Sequence, residues 1–256
     1  MKIESVLYCH VGNVRTNNED NYYINGKYRW NLSATEAYEE DLTSSKEALY
    51  AVSDGMGGEE LGEMASWITV RNLSSAKISR VKEAALDAIK KANDEICYEI
   101  KSIGGKRIGA TVAMLYIDDK KAVACNVGDS RIYHFRDEEL RQISEDHNEV
   151  AQMVRMGALS REDAENHHLR HRLTQHLGIF EDELLIEPYF SDEILIKKGD
   201  MFLICSDGLT DMVKDGEIAQ VIKDEKIPKK IGKTLLSMAI SRGGKDNITI
   251  LVVKAK

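Results

Sequence analysis

Proline is nearly missing from this chain. Pro188 and Pro228 are the only two in 256 residues, and no Gly/Ser-rich or single-charge tract stands beside them. That leaves no interdomain linker to point to, and a 43% hydrophobic content suffices for one sizeable core, so 1–256 is expected to fold as a single domain. Cysteine is scarce too: Cys9, Cys97, Cys125 and Cys205 make no C-x-x-C pair, and three of them lie in apolar runs. This excludes a disulfide framework and predicts reduced, structural thiols. Long hydrophobic runs are absent. Met1–His10 meets charge at Lys2 and Glu4, and no later stretch is long enough to span a bilayer, so neither a secretory leader nor a membrane partner is expected and the cytoplasm is the predicted location. The last shortage is positive charge: a formal net charge of −8 gives no field to hold nucleic acid. An acidic protein that binds phosphate must supply local positive charge, and bound cations are one way to do so.

The pattern of elements reads as α+β. Lys46–Ser53 predicts a buried strand running into the turn Asp54-Gly55-Met56-Gly57-Gly58, followed by a helix over about 61–74. Met64, Trp67 and Ile68 form an apolar stripe on that helix, a core face with no assigned chemistry. Ser79 can cap a second helix, in which Val81, Ala84, Ala85, Ala88, Ile89, Ala92, Ile96 and Ile100 recur at helical spacing. Thr111–Ile117, Ala122–Val127 and Arg131–Phe135 predict an antiparallel meander. The chain after Ile143 reads as polar and helical to about Leu177. Strands at Ile194–Ile196 and Met201–Cys205, a helix near Pro228–Ile240 and a last strand Ile248–Lys254 complete the pattern. Helices grouped between blocks of strands suggest layers and not alternating βαβ units.

Isolated aspartates recur at strand ends: Asp54 after Leu49–Val52, Asp129 after Val123–Val127, Asp207 after Phe202–Cys205, and Asp246 just before Ile248–Val253. Strand ends can gather such residues into one cluster. Carboxylates brought together without basic partners repel, unless divalent cations neutralise them, and oxygen-only ligands select hard ions such as Mg²⁺ or Mn²⁺. The glycines of Asp54-Gly55 and Asp207-Gly208 let the backbone turn sharply and present a carbonyl, although an Asp-Gly pair taken alone is ordinary turn punctuation.

Taken in order, eight strings resemble the metal-dependent serine/threonine protein phosphatases of the type 2C family, in particular its compact bacterial branch. They are Gly12-Asn13-Val14-Arg15-Thr16-Asn17-Asn18-Glu19-Asp20, Val52-Ser53-Asp54-Gly55-Met56-Gly57-Gly58, Gly109-Ala110-Thr111, Gly128-Asp129-Ser130-Arg131, Glu145-Asp146-His147, Leu173-Thr174-Gln175, Ser206-Asp207-Gly208-Leu209 and Asp246-Asn247. The resemblance implies an antiparallel β-sandwich flanked by helices on both outer faces, in four layers, with a mobile flap at about 148–176. It implies hydrolysis of phosphoserine and phosphothreonine on proteins by a metal-activated water. By position, Arg15 would bind the substrate phosphate and Asp20 would support a metal-held water. Asp54 would bridge two Mn²⁺ or Mg²⁺ ions and Gly55 would ligate one through its carbonyl. Asp207 and Asp246 would complete the second ion, Asp129 would join Asp207 at a weaker third, and Asn247 would order the cluster. The implied partners are phosphorylated proteins, a Ser/Thr kinase or its substrates, met by a monomer.

Some positions depart from the pattern or carry a second reading. Ala110 replaces a threonine, and the polar stretch Asn25–Glu47 is longer than a connection needs. Met56 stands where eukaryotic relatives often place histidine, so the proton donor to the leaving group is unassigned. His147 is a candidate, but an Asp-His pair is ordinarily structural. His167 and His171, four apart, could share a helical face as zinc ligands, though no H-E-x-x-H motif supports this and a polar helical surface is the simpler reading. Arg131 reads as a structural ion pair. Two other functions compete: a phosphatase-like module that only binds phosphoproteins or a regulatory partner, and a two-metal phosphodiesterase, which the acidic composition disfavours.

Overall fold

In the computed structural model, the described residues are 1–45, 47–57, 61–74, 81–164 and 167–256. The strands of the centre are β1 (Ile3–His10), β4 (Glu47–Ser53), β7 (Val112–Asp118), β8 (Lys121–Val127), β13 (Met201–Cys205) and β14 (Ile248–Ala255). Most of them are buried along nearly their whole length, which is why their sequences run apolar without alternation: one face meets the opposite sheet and the other meets helices. Two antiparallel sheets result. In the first, β10 (Glu139–Gln142), β9 (Arg131–Arg136), β13, β14, β1 and β3 (Glu36–Thr43) follow in that order. In the second the order is β11 (Tyr189–Phe190), β8, β7, β4 and β2 (Asn21–Ile24), with β12 (Ile194–Leu195) also paired to β8. A small pair, β5 (Gly55–Met56) and β6 (Gly109–Ala110), lies apart.

Leu7, Tyr50, Val52, Leu115, Phe202 and Leu251 fill the space between the sheets. Helices α1 (Gly62–Leu73) and α2 (Val81–Ser102) cover the second sheet, packing Leu73, Ala88 and Ile96 against Met114 and Tyr116. On α2 the buried Ala85, Ala88, Ile89, Ala92, Ile96 and Ile100 recur at helical spacing, so a single stripe docks the helix. Truncating Ile96 to alanine would cost about 3 kcal/mol by the usual cavity penalty. Helices α6 (Asp215–Glu225) and α7 (Pro228–Ser241) cover the first sheet through Ile218, Ile231 and Leu235. The architecture is the expected four-layer α+β sandwich. All four cysteines are free and buried, and among the described residues no helix is long and apolar enough to cross a membrane.

Three local expectations need correction. The meander stops after two strands: β8 pairs with β7, but β9 crosses to the other sheet and pairs with β13, Tyr133 opposite Leu203. The turn between β8 and β9 makes this crossing with Gly128 at φ +101°, where a Cβ would sit 2.6 Å from the Thr111 side chain. The helix expected to Leu177 is two short pieces, α3 (Glu149–Arg155) and α4 (Arg161–Ala164), with turns over 168–171. Asn148 caps α3 by accepting the Ala151 N–H at 2.8 Å, and the chain reverses after it at Gly157, φ +71°. His167 and His171 therefore share no helical face; His167 stacks on His168 at 4.6 Å. Lastly, the long polar stretch holds β3, an edge strand whose Glu36, Glu39, Glu40 and Asp41 hide its pattern and discourage further pairing. Lys46, Gly58 and Ser79 lie outside the described residues.

Candidate metal centre

Each predicted carboxylate leaves a buried strand at the same end of the sandwich. Asp54 follows β4, Asp20 precedes β2, Asp129 sits in the turn between β8 and β9, Asp207 follows β13 at the start of the short helix α5 (Asp207–Thr210), and Asp246 precedes β14. Their charges act on one another. The Asp54 carboxyl is raised well above the usual carboxylate range, by burial first and then by the charges of Asp20, Asp207, Asp129 and Asp246. Asp129 is raised likewise, by burial and then by Asp207 and Asp146.

Asp20 is fully buried. Its Oδ2 accepts hydrogen bonds from the Ser206 and Thr249 hydroxyls, both at 2.7 Å, while its Oδ1 has no partner. Burial pushes its carboxyl up to about 7, the two hydroxyls opposing. An orphaned buried carboxylate oxygen is costly in a finished protein. Beside it stand several acids and few bases. Such an all-oxygen set fits hard divalent cations, and the residues that would hold them are Asp54, Gly55, Asp207, Asp246 and Asp129.

Neutral groups fix the loops that carry these acids. The Thr111 hydroxyl accepts the Asp54 N–H at 3.0 Å and lies 2.7 Å from the Ser130 hydroxyl, next to Asp129. Asn247 donates to the carbonyls of Val11 and Asn17 and accepts the Glu19 N–H, tying the Arg15 loop to β14. The buried Arg29 guanidinium donates to the carbonyls of Asn18 and Asp20, each at 2.6 Å, and to that of Ala34. Two glycines allow the close approach: a Cβ on Gly55 would lie 2.1 Å from the Gly62 carbonyl oxygen, and one on Gly208 would lie 1.9 Å from that of Asn247.

The remaining candidates fall into place around this cluster. Arg15 is exposed and pairs with Asp246 at 2.8 Å, at the mouth of the group. Arg131 grips Asp146 through Nε and Nη2 and reaches the Tyr133 hydroxyl, a structural pair. His147 is buried, accepts the Gly128 N–H at 3.3 Å and has its pKa lowered by burial, so it too is a structural histidine. Met64, Trp67 and Ile68 pack into the core.

Sequence reasoning offered His171 as a ligand with the wrong partner, His167, and missed Asp211 altogether. Among the described residues, His171, Asp207 and Asp211 form the one group of three whose potential ligand atoms lie within 4.8 Å of one another. His171 Nδ1 is 3.4 Å from Asp207 Oδ2. Burial opposes ionisation of Asp207, but the His171 contact holds its carboxyl below the usual range. The only advance signal was Asp211 lying four residues beyond Asp207; nothing local to His171 revealed its partner. Ser206, Thr249 and Arg29 gave no signal either, since hydroxyls and lone arginines are common in any strand or loop.

Comparison with known proteins identifies the family. Residues 37–239 match the family described as protein phosphatase 2C. The chain is 32% identical over 218 residues, 82% of its length and 85% of the relative's, to the serine/threonine phosphatase stp of Listeria innocua. It superimposes on the serine/threonine phosphatase of S. agalactiae with a TM-score of 0.84 at 29% identity, covering 99% of this chain and all of that one. The catalytic domain of the serine/threonine protein phosphatase PstP, solved in complex with two manganese ions, superimposes with a TM-score of 0.78 at 25% identity, covering 99% of each chain.

Proposed function

Since the chain belongs to the protein phosphatase 2C family and is a metal-dependent serine/threonine protein phosphatase, we propose that Asp54, Gly55, Asp207 and Asp246 hold its two core ions, with Asp129 and Asp207 taking a weaker third. Mn²⁺ or Mg²⁺, when bound, polarises phosphoryl oxygens and lowers the pKa of water. The chain's own residues do the rest. The exposed Arg15 guanidinium, anchored beside Asp246, binds and orients the phosphate of an incoming phosphoserine or phosphothreonine. Asp20, clamped on one oxygen by Ser206 and Thr249, keeps Oδ1 free to orient the attacking water in line with phosphorus. Phosphate and free hydroxyl leave without a phosphoenzyme. Met56 cannot donate a proton to the departing alkoxide, so that proton comes from solvent held in the cleft.

The observation that carries this reading is the convergence of Asp20, Asp129, Asp207 and Asp246 on the partly buried Asp54. Residues 148–176 are proposed to act as a flap over the cleft. The enzyme is proposed to work in the cytoplasm as a monomer, on Ser/Thr kinases or their substrates. Hydrolysis of a phosphothreonine peptide and of p-nitrophenyl phosphate, with Mn²⁺, Mg²⁺ or EDTA, tests the centre in wild type and Asp54→Ala. Turnover that requires metal and disappears in the variant is expected; folded wild type without turnover under either ion would defeat the proposal.

A further inference from the structure

Cys9 is a buried thiol in the space between the sheets, where its sequence context predicts nothing beyond packing. It stands opposite Thr249 in the β1–β14 register, so the two side chains share a face. Thr249 Oγ1 lies 2.7 Å from Asp20 Oδ2 and 3.2 Å from Cys9 Sγ. A hydroxyl has one hydrogen, and the carboxylate oxygen, the stronger acceptor, takes it. The contact with sulfur therefore runs the other way, the Cys9 S–H donating to Thr249 Oγ1. That hydrogen is in place at neutral pH, because burial and then the Asp20 charge push the thiol up to about 11. Cys9 Sγ in turn accepts from Asn18 Nδ2 at 3.2 Å, and the other hydrogen of that amide goes to the Thr35 carbonyl at 3.0 Å. Asn18 Oδ1 accepts the Asp20 N–H at 3.1 Å, which closes a ring. Ser206 braces it from outside: its Oγ accepts the Thr249 N–H at 3.0 Å and gives its own hydrogen to Asp20 Oδ2.

We propose that Cys9 is a positioning residue for hydrolysis: through this ring its thiol holds the Asp20 carboxylate with Oδ2 turned inward and Oδ1 presented to the attacking water. Each member donates to the next, from Asp20 N–H to Asn18, Cys9, Thr249 and back to Asp20 Oδ2, and all four are buried. In such a setting the bonds polarise one another, and opening one weakens the rest. Sulfur is the link that joins the backbone side of Asp20, held by Asn18, to its carboxylate, held by Thr249. Serine at position 9 keeps both a donor and an acceptor. Valine keeps the volume and has neither.

Because the role rests on Asp20 orienting the attacking water, the test has one arm without metal and one with it. In the metal-free full chain, Raman difference spectra against Cys9→Ser isolate the Cys9 S–H stretch from those of the other three thiols. The band is expected at the low-frequency, hydrogen-bonded end and is expected to rise in Thr249→Val, which removes its acceptor at constant shape. A band that stays in place in Thr249→Val overturns the ring. With Mn²⁺ and a phosphothreonine peptide, Cys9→Val is expected to lower kcat about fivefold at unchanged KM, the worth of roughly one hydrogen bond, and Cys9→Ser to restore most of it. The double variant Cys9→Val/Thr249→Val is expected to be no slower than Thr249→Val, since one break already opens the ring. Full kcat in Cys9→Val, equal losses in Cys9→Ser and Cys9→Val, or losses that multiply in the double variant overturn the positioning role and leave the metal core intact. Wild type that shows the shifted S–H band but no metal-dependent turnover defeats the functional reading, and this role with it. Should Cys9→Val not fold by circular dichroism, Cys9→Ala, smaller than cysteine, decides the same comparison.

Discussion

Asp20 and Asp200 are nearly equally hidden, at 0% and 2% exposure, yet the chain treats them in opposite ways. Asp200 receives Arg136 Nε at 2.8 Å and the Lys197 N–H at 2.7 Å, and these hold its carboxyl below the usual range although burial pushes the other way. Asp20 receives two hydroxyls and no arginine side chain, and it rises to about 7. Arg29 is close by, but its guanidinium is spent on backbone carbonyls. One acid is finished by the protein and the other keeps an oxygen without a protein partner. The contrast separates structural from functional buried charge better than burial alone does.

Removing a proposed ligand should have the largest effect. Asp207→Ala is expected to lower kcat/KM on a phosphothreonine peptide by about 10³-fold or more, the equivalent of losing several kcal/mol of transition-state charge stabilisation. Retention of a tenth of the wild-type rate would show that Asp207 is not at the centre. Next comes the finished acid. Arg136→Met strands Asp200 and is expected to cost about 2 kcal/mol in urea unfolding, below the range for fully buried pairs because Arg136 reaches solvent. Its metal-dependent rate should not change.

The unfinished acid should respond in the opposite sense. With EDTA present, Asp20→Asn is expected to be about 1 kcal/mol more stable than wild type at pH 8, even though its rate with Mn²⁺ collapses. The sign follows from the raised pKa. Between the unfolded value near 4 and the folded value of about 7, the folded state binds the extra proton, so wild type loses stability as pH rises through that window. The gap between variant and wild type should therefore close toward pH 5, and a gap independent of pH would refute the cause. Pairing variant with wild type cancels His134 and His147, whose pKa values burial lowers and which push stability the other way near pH 6. The smallest effect belongs to the surface: Lys223 and Glu138 touch at 2.6 Å while largely exposed, and Lys223→Gln should leave the melting temperature unchanged within error.

Much of the centre could be read in advance because its residues carry local marks. Asp54 and Asp207 each follow an apolar strand and precede a glycine; Asp129 follows a third strand and Asp246 precedes a fourth. Strand β13 and helix α7 were legible to within a residue, since continuous apolar runs and a first-turn proline are strong local signals. Edge strand β3 was not, because an exposed edge lined with acids has no apolar alternation to detect. Nor was the departure of β9 from the meander, since strand propensity is the same whichever sheet a strand joins.

The sequence by itself determined that this chain is an acidic α+β protein with isolated aspartates at strand ends, because hydrophobic pattern and Asp-Gly turns act over a few residues. Tertiary structure alone decided which neighbours those acids would have. It set Ser206 and Thr249 on Asp20, Arg136 on Asp200, and His171 between Asp207 and Asp211. Those contacts join positions from 36 to 229 residues apart. They form only when packing closes the sandwich, and through them like residues acquire unlike charge states.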